Sequence, residues 1–261
     1  MNSVHHPCQN LLLAALSDAD LDRLRPHLEL VPMPAEWVVY EAGRRPAYAY
    51  FPTTGIISLL YVMEDGASAE IAVCGNDGLI GVALFMGGES TSSRAVVISA
   101  GYGYRLRAEV LQREFRQSAS LQRVLLRYTQ ALLTQMAQTA VCNRRHSVQQ
   151  QLCRFLLLGL DRLTSNAMTM THEMIANTLG VRREGVTEAA GRLQEAGVIQ
   201  YTRGHITVLS RAKLEAQVCE CYTVVKSECD RLLAEGPGKQ RQAGGGSRFL
   251  YAVESVAGAV P

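Results

Sequence analysis

No apolar run in this 261-residue sequence approaches the ~18 residues that a membrane-spanning helix requires; the longest near the N-terminus, Leu11 to Leu16, stops at Ser17 and Asp18. A transmembrane anchor is not expected. Met1 to Asn10 has no basic region, long apolar stretch or small-residue cleavage site, so the expected location is the cytoplasm. The spacing of a disulfide scaffold is missing as well. Seven cysteines, at 8, 74, 142, 153, 219, 221 and 229, form no CxxC pair, which fits reduced thiols. Residues 31–110 contain no histidine: all six, at 5, 6, 27, 146, 172 and 205, fall outside that stretch. An enzyme with a histidine-based metal site there, such as a cupin-like oxygenase, is excluded. Cys219, Cys221 and Cys229 read as core or surface thiols, because positions two apart on a helix face different ways. No metal, cofactor or catalytic residue is therefore expected.

What is present is a mixed globular composition, 48% hydrophobic and 19% charged, with enough chain for two domains at ~100–200 residues each. The net charge of +2 conceals a gradient. Residues 1–110 carry 7 basic and 12 acidic side chains, residues 111–142 carry 4 and 1, and residues 143–215 carry 10 and 6. The middle and later segments are thus the ones suited to a polyanion, although charge alone does not separate that reading from a solvated surface.

From Val31 to Leu106 short β-rich runs alternate with Gly, Pro, Asn and Asp, among them Gly55 to Tyr61, Ala69 to Val73 and Arg94 to Ile98. This spacing predicts a small antiparallel roll or sandwich. Glu64-Asp65-Gly66 predicts a hairpin turn in which both Asp65 and Gly66 take positive φ. Leu11 to Leu28 reads as short helices, with Ser17 as an N-cap. Beyond Leu111 the period becomes helical: Leu121, Leu125, Tyr128, Leu132, Met136 and Thr139 share one face. Periodicity leaves two readings of that face equally open, packing into its own domain or a parallel dimer seam. A second helix is expected from about Arg145 to Leu163, and the Gly-rich stretch from 236 to 261 reads as a disordered tail.

Between Thr169 and Ala196 the pattern is that of a helix-turn-helix. Ile175 and Leu179 lie on the inner face of a first helix, Ala176 is small where two helices approach, and Gly180 permits the exit from the helix. Val181, Val186 and Ala189 supply the inner face of the second. Thr171 is positioned to cap the first helix. With those positions inward, Arg182, Arg183, Glu184, Thr187 and Glu188 face outward, the surface a recognition helix presents to the major groove. Arginine can pair with guanine O6 and N7, and glutamate with cytosine N4, so Arg183-Glu184 suits a G·C-containing half-site. Val198 to Tyr201 and His205 to Val208 flank Arg203-Gly204 as a wing, whose Thr202, Arg203 and His205 are positioned for phosphate contacts.

Over Leu11 to Tyr222 the chain resembles the Crp/Fnr regulators. Tyr50-Phe51-Pro52-Thr53-Thr54-Gly55-Ile56-Ile57-Ser58-Leu59 is similar to that family's roll signature, and Gly180-Val181-Arg182-Arg183-Glu184-Gly185-Val186-Thr187 to its recognition-helix signature. The resemblance implies an α+β fold with three parts: an N-terminal cyclic-nucleotide-binding-like roll over 11–110, a dimerisation helix over 111–142 and a winged helix-turn-helix over 143–222. It further implies a homodimer, held through Leu121, Leu125, Tyr128, Leu132 and Met136, on a double-stranded DNA operator. RNA polymerase is a further candidate partner, a small-molecule effector has no assigned identity, and no membrane is involved. Arg183 and Glu184 take base- and phosphate-contacting roles by the same likeness, while Glu188 stands where the family often has arginine. Cyclic-nucleotide-binding members place a Gly-Glu pair for the ribose and an Arg-Ser pair for the phosphate in the roll; here those stretches read Gly81-Val82 and Ser93-Arg94-Ala95. Gly81 and Arg94 are the corresponding effector-site candidates, and cyclic AMP and cyclic GMP are not the expected effectors. An iron–sulfur sensor of the Fnr type needs several N-terminal cysteines, where only Cys8 is available. The alternative is a small-ligand-sensing scaffold that does not bind DNA.

Overall fold

The structure, a computed structural model, describes residues 5–163 and 165–233. The segment expected to form a disordered tail lies outside the described residues. Two short helices open the fold, α1 (Leu11–Ala14) and α2 (Asp18–Leu24). Asn10 caps the first, and the Ser17 hydroxyl accepts from the Asp20 amide to cap the second. Seven strands follow: β1 (Glu29–Met33), β2 (Val38–Tyr40), β3 (Tyr48–Pro52), β4 (Ile56–Val62), β5 (Ser68–Cys74), β6 (Arg94–Ser99) and β7 (Gly101–Arg107), with α3 (Ala83–Met86) between β5 and β6. They form two antiparallel sheets, β1-β7-β3 and β2-β6-β4-β5. That is the expected roll. At the β4–β5 hairpin only Gly66 takes positive φ. Asp65 instead accepts the Ala67 amide through its carboxylate, so the loop has three residues, Glu64 to Gly66, between Met63 and Ala67 rather than the primed two-residue form.

The expected helix over 111–142 is two helices, α4 (Ala108–Gln117) and α5 (Ala119–Arg145). Ser118 breaks them with an extended backbone. Its hydroxyl caps α5 at Leu121 N and donates to the buried carboxylate of Asp20 at 2.7 Å, joining the start of the long helix to α2. Leu121, Leu125, Tyr128 and Leu132 are buried in the chain's own core with Met33, Phe51, Ile57, Leu79, Leu106 and Leu111, and Met136 packs against that cluster. The strongly apolar face of α5 therefore covers the roll, and is not free to meet a second copy.

α6 (Val148–Leu160) carries a Ser147–Gln150 capping box. Beyond it come β8 (Ala167–Thr169), α7 (His172–Leu179), α8 (Arg183–Glu195), β9 (Ile199–Thr202), β10 (His205–Val208), α9 (Arg211–Glu215) and α10 (Glu220–Leu233). The wing has three strands, in the order β8-β10-β9, one more than the hairpin pattern predicted. Leu152, Leu156, Leu157, Ile175, Val186, Leu193, Val198 and Ile206 form its core, which Ile56, Val73 and Ile98 of the roll extend. A buried ion pair adds a second tie between the two units. Arg162, just past α6, meets Asp77 through Nε (2.9 Å) and Nη2 (2.6 Å), a bidentate pairing that fixes the angle between them.

Candidate nucleic-acid interface

α7 starts at Thr171, whose hydroxyl accepts the Met174 amide at 3.1 Å, and ends at Gly180 in the left-handed region (φ 66°). Glycine is the residue that takes this φ without a Cβ penalty, and the turn brings Val181 N to the Ala176 carbonyl at 3.0 Å. α8 then leaves at an angle that buries Val186, Ala189, Ala190 and Leu193 against α6 and α7. Because those four occupy the inner face, Arg182, Arg183, Glu184, Thr187 and Glu188 all lie exposed on the outer one, as expected.

The outer face is internally organised. Glu188 pairs with Arg192 one turn on, at 2.5 Å, so the acid does not present an uncompensated negative charge toward a phosphate. Among the described residues the Arg183 guanidinium has one ion-pair contact, a long one of 3.9 Å to Glu173, and its side chain is 67% exposed. The wing turn places Arg203 (φ 48°) and Gly204 (φ 84°) both in the left-handed region, as a primed two-residue hairpin requires. Arg203 and His205 are exposed beside it, with His205 Nδ1 3.1 Å from Thr169 Oγ1.

His172, which the sequence pattern did not single out, ties the three parts together. Its ring stacks on Tyr201 of the wing at 4.1 Å, and Nδ1 lies 3.0 Å from Thr187 Oγ1 on α8. Thr187 in turn donates to the Arg183 carbonyl at 3.1 Å. Periodicity marks inward apolar positions, and a half-buried polar side chain at the first turn of a helix carries no such mark. Burial, and then the nearby Arg183 charge, push the His172 imidazole below its usual range, and Nε2 is buried with no hydrogen-bond partner among the described residues. As the pH falls, the unfolded chain therefore takes up this proton first. The resulting stability is complete above the unfolded value of about 6.5 and is lost as pH falls from there through the lower folded value. Urea midpoints from pH 7.5 to 5 should fall accordingly, and His172→Phe, which keeps the stack on Tyr201, should flatten that decline. An unaltered decline would place its source elsewhere.

In the roll, Gly81 has φ 109° and an added Cβ would come within 3.2 Å of Leu84, so its role there is conformational. Arg94 Nε lies 3.2 Å from the Glu41 carboxylate, an ion pair at the sheet edge. Two of the cysteines read as unrelated thiols behave differently from expectation. Cys219 stands before α10 and not on it, so Cys219 and Cys221 converge, beside Cys142 and His146.

Comparison with known proteins agrees with this geometry. The model of the Crp-like helix-turn-helix domain matches residues 150–217. No curated protein matches the chain. Among solved structures, a Crp/Fnr-family transcriptional regulator from Eubacterium rectale superposes with TM-score 0.62 at 17% identity, over 79% of this chain and 96% of that one. FixK2 from Bradyrhizobium japonicum gives TM-score 0.62 at 18% identity, over 74% and 98%. The c-di-GMP-responsive global regulator CLP of Xanthomonas campestris gives 0.59 at 15%, over 74% and 100%. Residues 150–217 are a Crp-like helix-turn-helix domain, carried on a chain that has the fold of the Crp/Fnr transcriptional regulators.

Proposed function

We propose that this chain is a dimeric, sequence-specific DNA-binding transcription regulator of the cytoplasm, and not an enzyme. The observation that carries the reading is the cluster of exposed polar side chains on the first two turns of α8, with the wing turn beside it, all held by a buried inner face. Arg182, Arg183, Glu184 and Thr187 serve as the groove-facing set, with Glu188 oriented by Arg192. Thr171, Arg203 and His205 flank it as phosphate contacts. We assign the roll to 11–110, the linking helices to 111–142 and the reading head to 143–222. Titration of the purified protein with duplex DNA at rising salt is the test. Log affinity should fall linearly with log salt, by about 0.9 per phosphate neutralised, while a protein that does not bind DNA gives no titration at any salt.

Dimerisation is assigned to the other face of α5. Residues 119, 123, 126, 130, 133, 137, 140 and 144 are all exposed, at spacings alternating four and three, and the middle of this stripe is Leu126, Gln130, Leu133, Ala137 and Ala140. A 3.5-residue repeat of this kind is the seam of a parallel pair of helices, which brings two reading heads to half-sites ~34–36 Å apart.

The effector is not cyclic AMP or cyclic GMP. A buried cyclic phosphate needs charge-assisted donors and the ribose hydroxyl an acceptor. Val82 offers no acceptor, and Arg94 is already paired with Glu41. Tyr128 of α5 fills the space under the Gly78–Gly81 segment: its hydroxyl donates to the Leu79 carbonyl at 2.9 Å, and a Cβ on Gly78 would come within 2.5 Å of its ring. A ligand at 100 times its Kd stabilises the native state by about 2.7 kcal/mol. Millimolar cyclic AMP or cyclic GMP should leave the melting temperature unchanged; a saturable upward shift refutes the assignment.

A further inference from the structure

Four potential ligands that DNA reading does not use meet where the long helix ends. Cys142 lies in the last turn of α5, and His146 follows it by one helical turn as the residue that closes the helix. Cys219 is the residue immediately before α10, and Cys221 is in that helix's first turn. Their four ligand atoms lie within 4.8 Å of one another. Cys142 Sγ and Cys219 Sγ are 3.6 Å apart, and Cys221 Sγ is 3.5 Å from His146 Nδ1. In a tetrahedral zinc site with Zn–S near 2.3 Å and Zn–N near 2.0 Å, ligand atoms stand about 3.5–3.8 Å apart. These two pairs are thus already at the edge length of such a tetrahedron.

The surroundings complete the arrangement. All three thiols are buried, and His146 is nearly so. His146 Nε2 faces the Glu220 carboxylate at 3.3 Å, the outer-sphere partner that holds a ligating imidazole in the tautomer whose other nitrogen is free to coordinate. Three thiolates and one divalent ion leave a net charge of −1. Arg154 is buried close by, and its charge acts on both Cys142 and Cys221. Its Nη2 donates to Thr139, its Nε has no hydrogen-bond partner among the described residues, and its other electrostatic neighbour is Glu70.

We infer that Cys142, His146, Cys219 and Cys221 bind one zinc ion per chain in a closed, four-ligand site. Four protein ligands leave no position for water or substrate, so the role is structural. The donor set, three soft thiolates and an imidazole, selects zinc over magnesium or calcium. A four-iron cluster, with its ligands on four separate irons, needs a wider cage. On binding, the thiols lose their protons to solvent as three Zn–S bonds form, with no oxidant or reductant required. The ion joins positions 142 and 219, 77 residues apart, and so closes the chain around α6 to α9. It pins the end of α5 to α10 and holds the helix-turn-helix at a set angle to α5. The site itself does not depend on the DNA-binding assignment.

The test uses the full-length protein purified under reducing conditions after growth with zinc. Elemental analysis should find one zinc per chain, and exchange for cobalt(II) should produce the visible ligand-field bands and near-ultraviolet thiolate charge transfer of a tetrahedral cobalt site. Cys219→Ser/Cys221→Ser should lose both signatures, whereas Cys153→Ser/Cys229→Ser should keep them. Should the first double variant fail to fold, the wild-type protein decides the matter. Reaction with a thiol reagent should release the zinc in step with loss of three protected thiols. Substoichiometric zinc with no cobalt spectrum overturns the inference, and so does a Cys142–Cys219 disulfide in the freshly purified protein. Because metal content is read without DNA, failure here leaves the DNA-binding assignment standing, and the reverse also holds.

Discussion

Replacing Leu126 and Leu133 together by glutamate yields a folded monomer whose affinity for a two-half-site operator falls by about 10²–10⁴, the advantage that simultaneous engagement of two heads confers. Leu126 is 52% and Leu133 58% exposed in the single chain, so neither substitution buries a charge within it. In a parallel dimer each position meets its own copy, and glutamates there would face glutamates across a desolvated seam. Sedimentation equilibrium reads the oligomeric state and circular dichroism confirms the fold. The paired control is Leu125→Glu or Leu132→Glu. These side chains are 1% and 5% exposed, inside the chain's own core, so the same change places an unpaired carboxylate in apolar surroundings and unfolds the domain instead of separating two copies. A Leu126→Glu/Leu133→Glu protein that remains dimeric rules this stripe out as the interface.

The second large effect falls on DNA. Arg183→Ala should cost ~1–3 kcal/mol of specific binding, about 5- to 150-fold in Kd, with selectivity relaxed at a single base pair. Among the described residues the Arg183 guanidinium has one ion-pair contact, 3.9 Å from Glu173, and its carbonyl bond to Thr187 survives truncation of the side chain, so the melting temperature should hardly change, and the loss can be assigned to the interface. Uniform weakening on every sequence would instead make Arg183 a phosphate anchor. Unchanged binding on specific and random DNA alike would remove α8 as the reading helix. Glu188→Ala separates the two charges of the neighbouring pair: freeing Arg192 should strengthen non-specific binding and steepen its salt dependence.

The helix-turn-helix was legible because its determinants are local. An apolar residue every three or four positions, a capping threonine and a glycine at the left-handed turn lie within some twenty-five consecutive residues, and backbone sterics act over that range. The strands of the roll were legible for the same reason, each being a short β-rich run between turn residues. The limits appear at α5. Its periodic face, Leu121 to Thr139, is real, but periodicity reports only that a face is buried and not what buries it. The roll claimed that face, leaving the weaker stripe through Leu126 and Leu133 for a partner.

The fold class, the outward set on α8 and the departures from a cyclic-nucleotide pocket at Val82 and Arg94 follow from the sequence by itself. Only the tertiary structure decided which face of α5 is free, that Arg162 meets Asp77 across 85 residues, that His172 joins both helices to the wing, and that Cys142 and His146 meet Cys219 and Cys221. The cysteine pair shows the reason most directly. Two residues apart reads as opposite faces if both lie on one helix, but Cys219 lies one residue outside α10, where helical spacing no longer fixes its direction, and its thiol stands 3.6 Å from that of Cys142. Helix boundaries are set by tertiary packing to within a residue or two, and a site assembled from two distant helix ends exists only once that packing has placed them.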